Sequence, residues 1–215
     1  MGLMNGENSI KGLNWRYATK RYDASKKLSA EQVRLIKEAL RLAPNSFGLQ
    51  AWKFVHVTDP ETRKALSAVA WNQPQITEAS DFFVLASYVS IDEAFVDKFV
   101  KSIAETRGVT AESLDGYKKA IMGSIKGRSP EELENWLARQ VYIPLGVALT
   151  VAAENRIDAS PMEGFNPDEF DKILGLDKLG LKSRVLLAVG FRSPEDAVQN
   201  YKKVRLGEDE VFLER

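Results

Sequence analysis

Apolar residues recur at helical spacing over most of this chain and at strand spacing in a few short runs. Ile10, Leu13 and Tyr17 predict a first helix over residues 9–18, with Ser9 placed to cap it. Val33, Ile36, Leu40 and Ala43 lie on one face of a second helix. Ser29 caps it, Gln32 three residues on completes a capping box, and Pro44 follows its end. Asp59-Pro60-Glu61 opens a third helix that runs to about Val69. Residues 91–126 carry two helical patterns separated by Gly108, the second holding Leu114, Tyr117, Ile121 and Ile125. Pro130 starts a long helix through about Asn155. It contains Trp136, Val141, Leu145 and Leu149, and Pro144 is expected to kink it. Residues 168–174 predict one more helix.

The strand signals are fewer. Trp52–Val57 alternates and is rich in strand-forming residues, Phe82–Val89 is a continuous apolar run suited to a central strand, and Arg184–Gly190 is a third strand. Ile157–Ser160 is a short extended piece before Pro161-Met162-Glu163-Gly164. Asn45-Ser46-Phe47-Gly48 and Trp71–Gln75 read as loops. Residues 193–215 form a polar tail with a late apolar pair, Val211 and Phe212. Strands interleaved with longer helices imply an α/β or α+β sheet with helical layers. No repeat or low-complexity linker divides residues 1–215, which are expected to form a single domain.

Composition narrows the chemistry. Thirty basic residues balance thirty acidic ones, so no bulk positive field exists to hold nucleic acid or an anionic membrane. The longest apolar stretch, Val141–Ala153, is too short to span a bilayer, and Met1–Asn8 lacks the basic start and apolar run of a signal peptide. A cytoplasmic protein is the expectation. The absence of cysteine excludes a disulfide, a thiolate nucleophile, an iron–sulfur cluster and Cys-ligated zinc. The single histidine, His56, excludes a His-rich metal site, and no metal is expected. A Ser–His–Asp triad could run only through that residue, which its strand setting marks as structural. No Gly-rich dinucleotide loop, Walker loop or H-E-x-x-H motif is present. An enzyme so poor in acid–base and thiol groups points to a bound cofactor, and to redox chemistry rather than hydrolysis. Basic side chains in pairs are what remains to bind phosphate. Arg16 and Lys20 share a face if the first helix extends that far, and Lys203 and Arg205 share a face in an extended tail. Converging, the four would hold one phosphate group; apart, they are solvated charges.

Several segments reach a known family. Arg16-Tyr17-Ala18-Thr19-Lys20-Arg21-Tyr22-Asp23 resembles the N-terminal phosphate motif of the nitroreductase family of flavoproteins. The resemblance continues through Ala43-Pro44-Asn45-Ser46-Phe47-Gly48-Leu49-Gln50-Ala51-Trp52, Asn72-Gln73-Pro74-Gln75, Pro161-Met162-Glu163-Gly164-Phe165 and Lys203-Val204-Arg205-Leu206, in family order over nearly the whole chain. Tyr22-Asp23-Ala24-Ser25-Lys26-Lys27-Leu28 and Arg139-Gln140-Val141-Tyr142 are similar to the oxygen-insensitive NAD(P)H nitroreductase and dihydropteridine reductase branch.

The resemblance implies a three-layer α+β sandwich, with a central, mostly antiparallel sheet flanked by helices, in an intertwined homodimer with FMN at the interface. It assigns Arg16, Lys20, Lys203 and Arg205 to the phosphate and ribityl chain, beside Tyr17 and Ala18. Asn72 and Gln75 fall to the flavin's polar edge. The turn Pro161, Met162, Glu163, Gly164 would lie along the ring, with the backbone N–H of Glu163 near N5. Pro44, Asn45, Ser46 and Gly48 would come from the other subunit, and Phe47, Trp71 and Met122 would meet substrate. The implied reaction is hydride transfer from NADPH or NADH to FMN, then two-electron reduction of a nitroaromatic or quinone. A narrow dihydropteridine or enone reductase and a non-catalytic flavin-binding protein are the alternatives. There are departures. Tyr17 and Ala18 stand where this branch often has His and Ser, Gly48 replaces Asn, Ala51 replaces Pro, and Gln75 stands where some members carry Lys. A neutral side chain at Gln75 would stabilise a reduced, anionic flavin less than a cation would.

Overall fold

A computed structural model describes residues 6–215; Met1–Asn5, part of the N-terminal run read above, lie outside the described residues. Four strands, β1 (Trp52–His56), β2 (Asp81–Tyr88), β3 (Asp158–Met162) and β4 (Leu181–Gly190), form one antiparallel sheet in the order β1-β2-β4-β3. The two central strands are apolar on both faces because both faces are covered. Phe82, Val84, Ala86, Leu186 and Ala188 point into one core with Leu66, Ile76 and Phe170. Phe83, Leu85, Val185, Leu187 and Val189 point into another with Ile36, Leu40, Val141, Leu145 and Ala148. Alternation along β2 and β4 therefore specifies three layers. One helical layer holds α2 (Ala30–Arg41) and α7 (Pro130–Glu154); the other holds α3 (Pro60–Ala68), α4 (Gln75–Glu78) and α8 (Pro167–Leu174). A satellite cluster joins α5 (Glu93–Arg107) and α6 (Asp115–Lys126) to the first half of α7.

The local signals set these helices as expected. Ser29 and Gln32 make a full capping box on α2, as Ser129 and Glu132 do on α7. Asp59 caps α3 ahead of Pro60, and Gly108 ends α5 in the left-handed region at φ 67°. The chain stays helical through Pro144. By length and composition α7 is apolar enough to cross a membrane, unlike the shorter run read from sequence. Here 44% of its most apolar 18-residue window is buried inside the fold.

Three boundaries differ from expectation. Helix α1 (Gly6–Trp15) begins and ends earlier than residues 9–18. Ser9 does not cap it; its hydroxyl donates to the Glu154 carboxylate at the far end of α7. Beyond Trp15 the chain is held extended by two long-range bridges, Ala18 with Ala159 and Tyr22 with Arg192, so Arg16 and Lys20 share no helical face. Strand β3 runs on through Pro161, which an edge strand tolerates because one side needs no N–H donor. Strand β4 begins three residues earlier than predicted.

Asp196 anchors the C-terminal segment. Its carboxylate accepts from the backbone N–H of Lys20 (2.8 Å) and Arg21 (3.2 Å), from the Tyr17 hydroxyl (2.9 Å) and from the Val198 N–H (3.1 Å). Beyond it, Tyr201, Val204, Leu206, Phe212 and Leu213 are exposed, and α9 (Glu208–Val211) is a single turn.

Candidate functional site

The Asp196 clamp places the segment after α1 against the C-terminal segment and so brings four cations together. Arg16, Lys203 and Arg205, with Lys202 beside them, line one cleft of about 440 Å³, with Tyr17, Ala18 and Pro161 in its wall. The Lys203 ammonium donates to the carbonyls of Leu13 and Arg16, and the Arg205 guanidinium to the Val204 carbonyl. The Arg16 Nε is buried and has no hydrogen-bond partner. Burial, then the neighbouring Arg205, lowers the Arg16 pKa. Burial, then Arg16 and Arg205, lowers that of Lys203. Arg16 and Lys203 are thus destabilised as cations by desolvation and by their neighbours, which an anion would relieve. Lys20 stands outside the lining, with its side chain exposed.

The cleft wall leads into the turn after β3. Pro161 lines the cleft, and Glu163 and Gly164 follow two and three residues on, within about 10 Å of chain. Trp71 lies on Gly164: a Cβ there would meet the indole, which would have to move aside. The Gln73 amide donates to the Gly164 carbonyl. Trp71 and Asn72 both sit in the left-handed region (φ 52° and 53°), and the Trp71 ring is 72% exposed. Two successive non-glycine residues there mark a strained loop. Gln75, which begins α4, is buried, and its Oε1 has no partner. The Glu163 carboxylate accepts a hydrogen bond from the Tyr142 phenol on α7.

The loop Pro44–Gly48 belongs to a different part of the chain. Its Ser46 N–H donates to Gln140 Oε1 (2.9 Å), and Asn45 Oδ1 accepts from the Gln50 N–H (2.8 Å). Phe47 takes φ 58°. Its carbonyl accepts from the Tyr117 hydroxyl (2.6 Å), and its ring meets Tyr117 and Trp136 edge-on. Phe47 and Met122 pack in the same satellite cluster. None of Pro44–Gly48, Trp71, Asn72, Gln75 or Met122 lines the cationic cleft. Within one chain the expected residues fall into a cleft, a turn with its loop, and a separate apolar cluster.

A second cleft of about 630 Å³ surrounds His56, with Lys27, Arg34, Lys37 and Arg63 around it. Its chemistry is committed internally. The Arg63 guanidinium donates to the carbonyls of Val57 (3.1 Å) and Ala79 (2.8 Å). Asp81 stands between His56 (2.8 Å) and the Ser80 hydroxyl (2.7 Å). With the carboxylate in the middle, the imidazole cannot take the Ser80 proton, and these three residues are not arranged as a nucleophilic triad. The His56 ring is held between Asp81 and Phe83. No group of three or more metal-binding side chains occurs among the described residues.

Sequence reasoning missed two residues. Asp196 is one acid among several in a polar tail, and no spacing marks it. Tyr142 lay inside a family-like segment without a role.

With this geometry in place, comparison with known proteins is informative. A model of the nitroreductase family matches residues 13–191. The chain is 33% identical over 190 residues to YfkO of Bacillus subtilis, provisionally named a NAD(P)H nitroreductase, covering 83% of this chain and 86% of that protein. It is also 33% identical over 199 residues to the oxygen-insensitive NAD(P)H nitroreductase of Salmonella typhimurium, covering 89% and 92%. A provisionally named nitroreductase from Exiguobacterium sibiricum, solved in complex with FMN, superposes with a TM-score of 0.81 at 22% identity, covering all of this chain and 99% of that one. The chain belongs to the nitroreductase family, with that family's fold and an oxidoreductase activity.

Proposed function

We propose that this enzyme is a cytoplasmic, FMN-dependent homodimer that takes hydride from NADPH or NADH and reduces nitroaromatics or quinones by two electrons. The buried, unpartnered Nε of Arg16, between Lys203 and Arg205, carries this reading. Clustered cations with a free donor suit a phosphate monoester, because the guanidinium fork and ammonium match its oxygens. The unpartnered Oε1 of buried Gln75 is a second polar atom left free for a ligand.

Bound FMN would supply the hydride-accepting and hydride-donating chemistry. Arg16, Lys203 and Arg205 would hold its phosphate against Tyr17, Ala18 and Pro161, with Lys20 free to reach towards the ring. Asn72 and Gln75 would bond the polar edge of the ring. The Met162–Gly164 turn would lie along it, with the Glu163 N–H directed at N5. Trp71 and, from the second subunit, Phe47 and Met122 would confine the nicotinamide and then the acceptor near the ring, excluding water. Pro44, Asn45, Ser46 and Gly48 would be supplied across the dimer. The separation of that loop from the cleft within one chain, and the exposed apolar tail, support a two-chain site.

The visible spectrum of the purified protein tests this, recorded before and after anaerobic NADPH, NADH and then a quinone. Flavin bands should bleach with a nucleotide and return with the acceptor. Arg16→Ala should weaken FMN binding about tenfold or more, the loss of one charge-assisted hydrogen bond at a desolvated site. Bands that never bleach would leave a flavin-binding protein without turnover. A chain that takes up no FMN would return Arg16, Lys203 and Arg205 to the role of solvated charges.

A further inference from the structure

The reading above gives the backbone of Glu163 a role and leaves its side chain without one. Tyr142, midway along α7, donates its phenolic hydrogen to Glu163 Oε1 at 2.5 Å. The Tyr142 hydroxyl oxygen also lies 3.5 Å from the carbonyl of Arg184 on β4. Arg184 is itself held at two points: its Nη2 pairs with Glu134 Oε1 on α7 (2.9 Å), and its Nε donates to Ser87 Oγ on β2 (2.9 Å). The phenol therefore reaches the turn from a braced junction of helix and sheet. On either side of Glu163, Met162 and Phe165 are buried, so the backbone around the turn is already anchored. Glu163 is the exposed, charged member of that turn. Burial, then the bond to the Glu163 carboxylate, pushes the Tyr142 pKa up to about 12, so the phenol keeps its proton at neutral pH.

We propose that Tyr142 is a positioning residue for hydride transfer: by holding the Glu163 carboxylate towards α7, it orients the Glu163–Gly164 turn and keeps that negative charge away from the flavin. The proposal rests on the FMN reading of the preceding section. An unheld carboxylate beside a ring that gains electrons opposes the reduction, and a hydrogen bond to it both disperses and directs the charge.

The test compares wild type with Tyr142→Phe, Glu163→Gln and Glu163→Ala. FMN uptake and bleaching by wild type come first. Failure there removes the FMN reading itself, whatever Tyr142 does. With wild type loaded, two further quantities are read: the flavin midpoint potential, and amide hydrogen exchange of residues 158–165 in the flavin-free chain. Tyr142→Phe should bind FMN within about twofold of wild type, exchange faster over the turn, show a more negative potential and lose about tenfold in hydride uptake. Glu163→Gln keeps an oxygen that accepts from the phenol and removes the charge, so it should retain protection and move the potential the other way. Glu163→Ala should lose the protection. Opposite potential shifts for the two conservative variants are a result that a purely structural bond would not produce. A Tyr142→Phe protein with wild-type potential and exchange, or shifts of the same sign in Tyr142→Phe and Glu163→Gln, would overturn the proposal.

Discussion

His56 stacks on Phe83, with ring centroids 4.5 Å apart and planes 17° from parallel, and its Nε2 lies 2.8 Å from Asp81 Oδ1. Burial holds its pKa below the usual value; Asp81 pulls the other way, and Lys37 and Arg63 assist burial. The folded chain therefore binds fewer protons here than the unfolded chain as pH falls through about 6.5. The contribution to stability is complete above that value and is lost as pH drops towards the folded pKa. Melting temperature should fall more steeply between pH 7 and 5.5 in wild type than in His56→Gln; equal slopes would show that His56 is not the group responsible. At this scale residue types were legible and their environments were not. The sequence marks Arg16 as a cation, but its desolvation beside Arg205 comes from a segment some 190 positions away.

At the scale of elements, local chemistry decides most boundaries. Ser29→Ala removes the hydroxyl that accepts from the Gln32 N–H and leaves in place the reciprocal bond, which the residue 29 backbone N–H donates to Gln32 Oε1. The expected cost is about 1 kcal/mol, read as a lower denaturation midpoint with an unchanged slope. A change under a few tenths would mean that packing of Ile36 and Leu40 alone holds α2. The starts of α2, α3 and α7 and the end of α5 were legible because caps act within four residues. The end of α1 was not, because the bridges from Ala18 to Ala159 and from Tyr22 to Arg192 override a pattern that could have continued as helix. Nor was the passage of β3 through Pro161, since only the sheet order reveals an edge strand. The Tyr142–Glu163 bond joins a helix to a turn 21 residues later, beyond the reach of any periodicity.

For the whole molecule, helical layers about a sheet were legible in the interleaving of strands with longer helices and in the continuous apolar run that became β2, while the three-layer form came from the family resemblance. The proposed site was not legible from the residues alone, because the cationic cleft and the Pro44–Gly48 loop assigned to it lie apart in a single chain. That separation has a genetic consequence. If each working centre draws its cleft from one polypeptide and its loop from another, two differently damaged alleles can complement. An Arg16→Ala chain and a Ser46→Glu chain, each inactive as a homodimer, would form mixed dimers when co-expressed. One of the two centres in each mixed dimer would then be built wholly from intact parts. Random pairing of equal amounts predicts recovery of about a quarter of wild-type turnover. Co-expressed chains that stay inactive would mean that each polypeptide works alone.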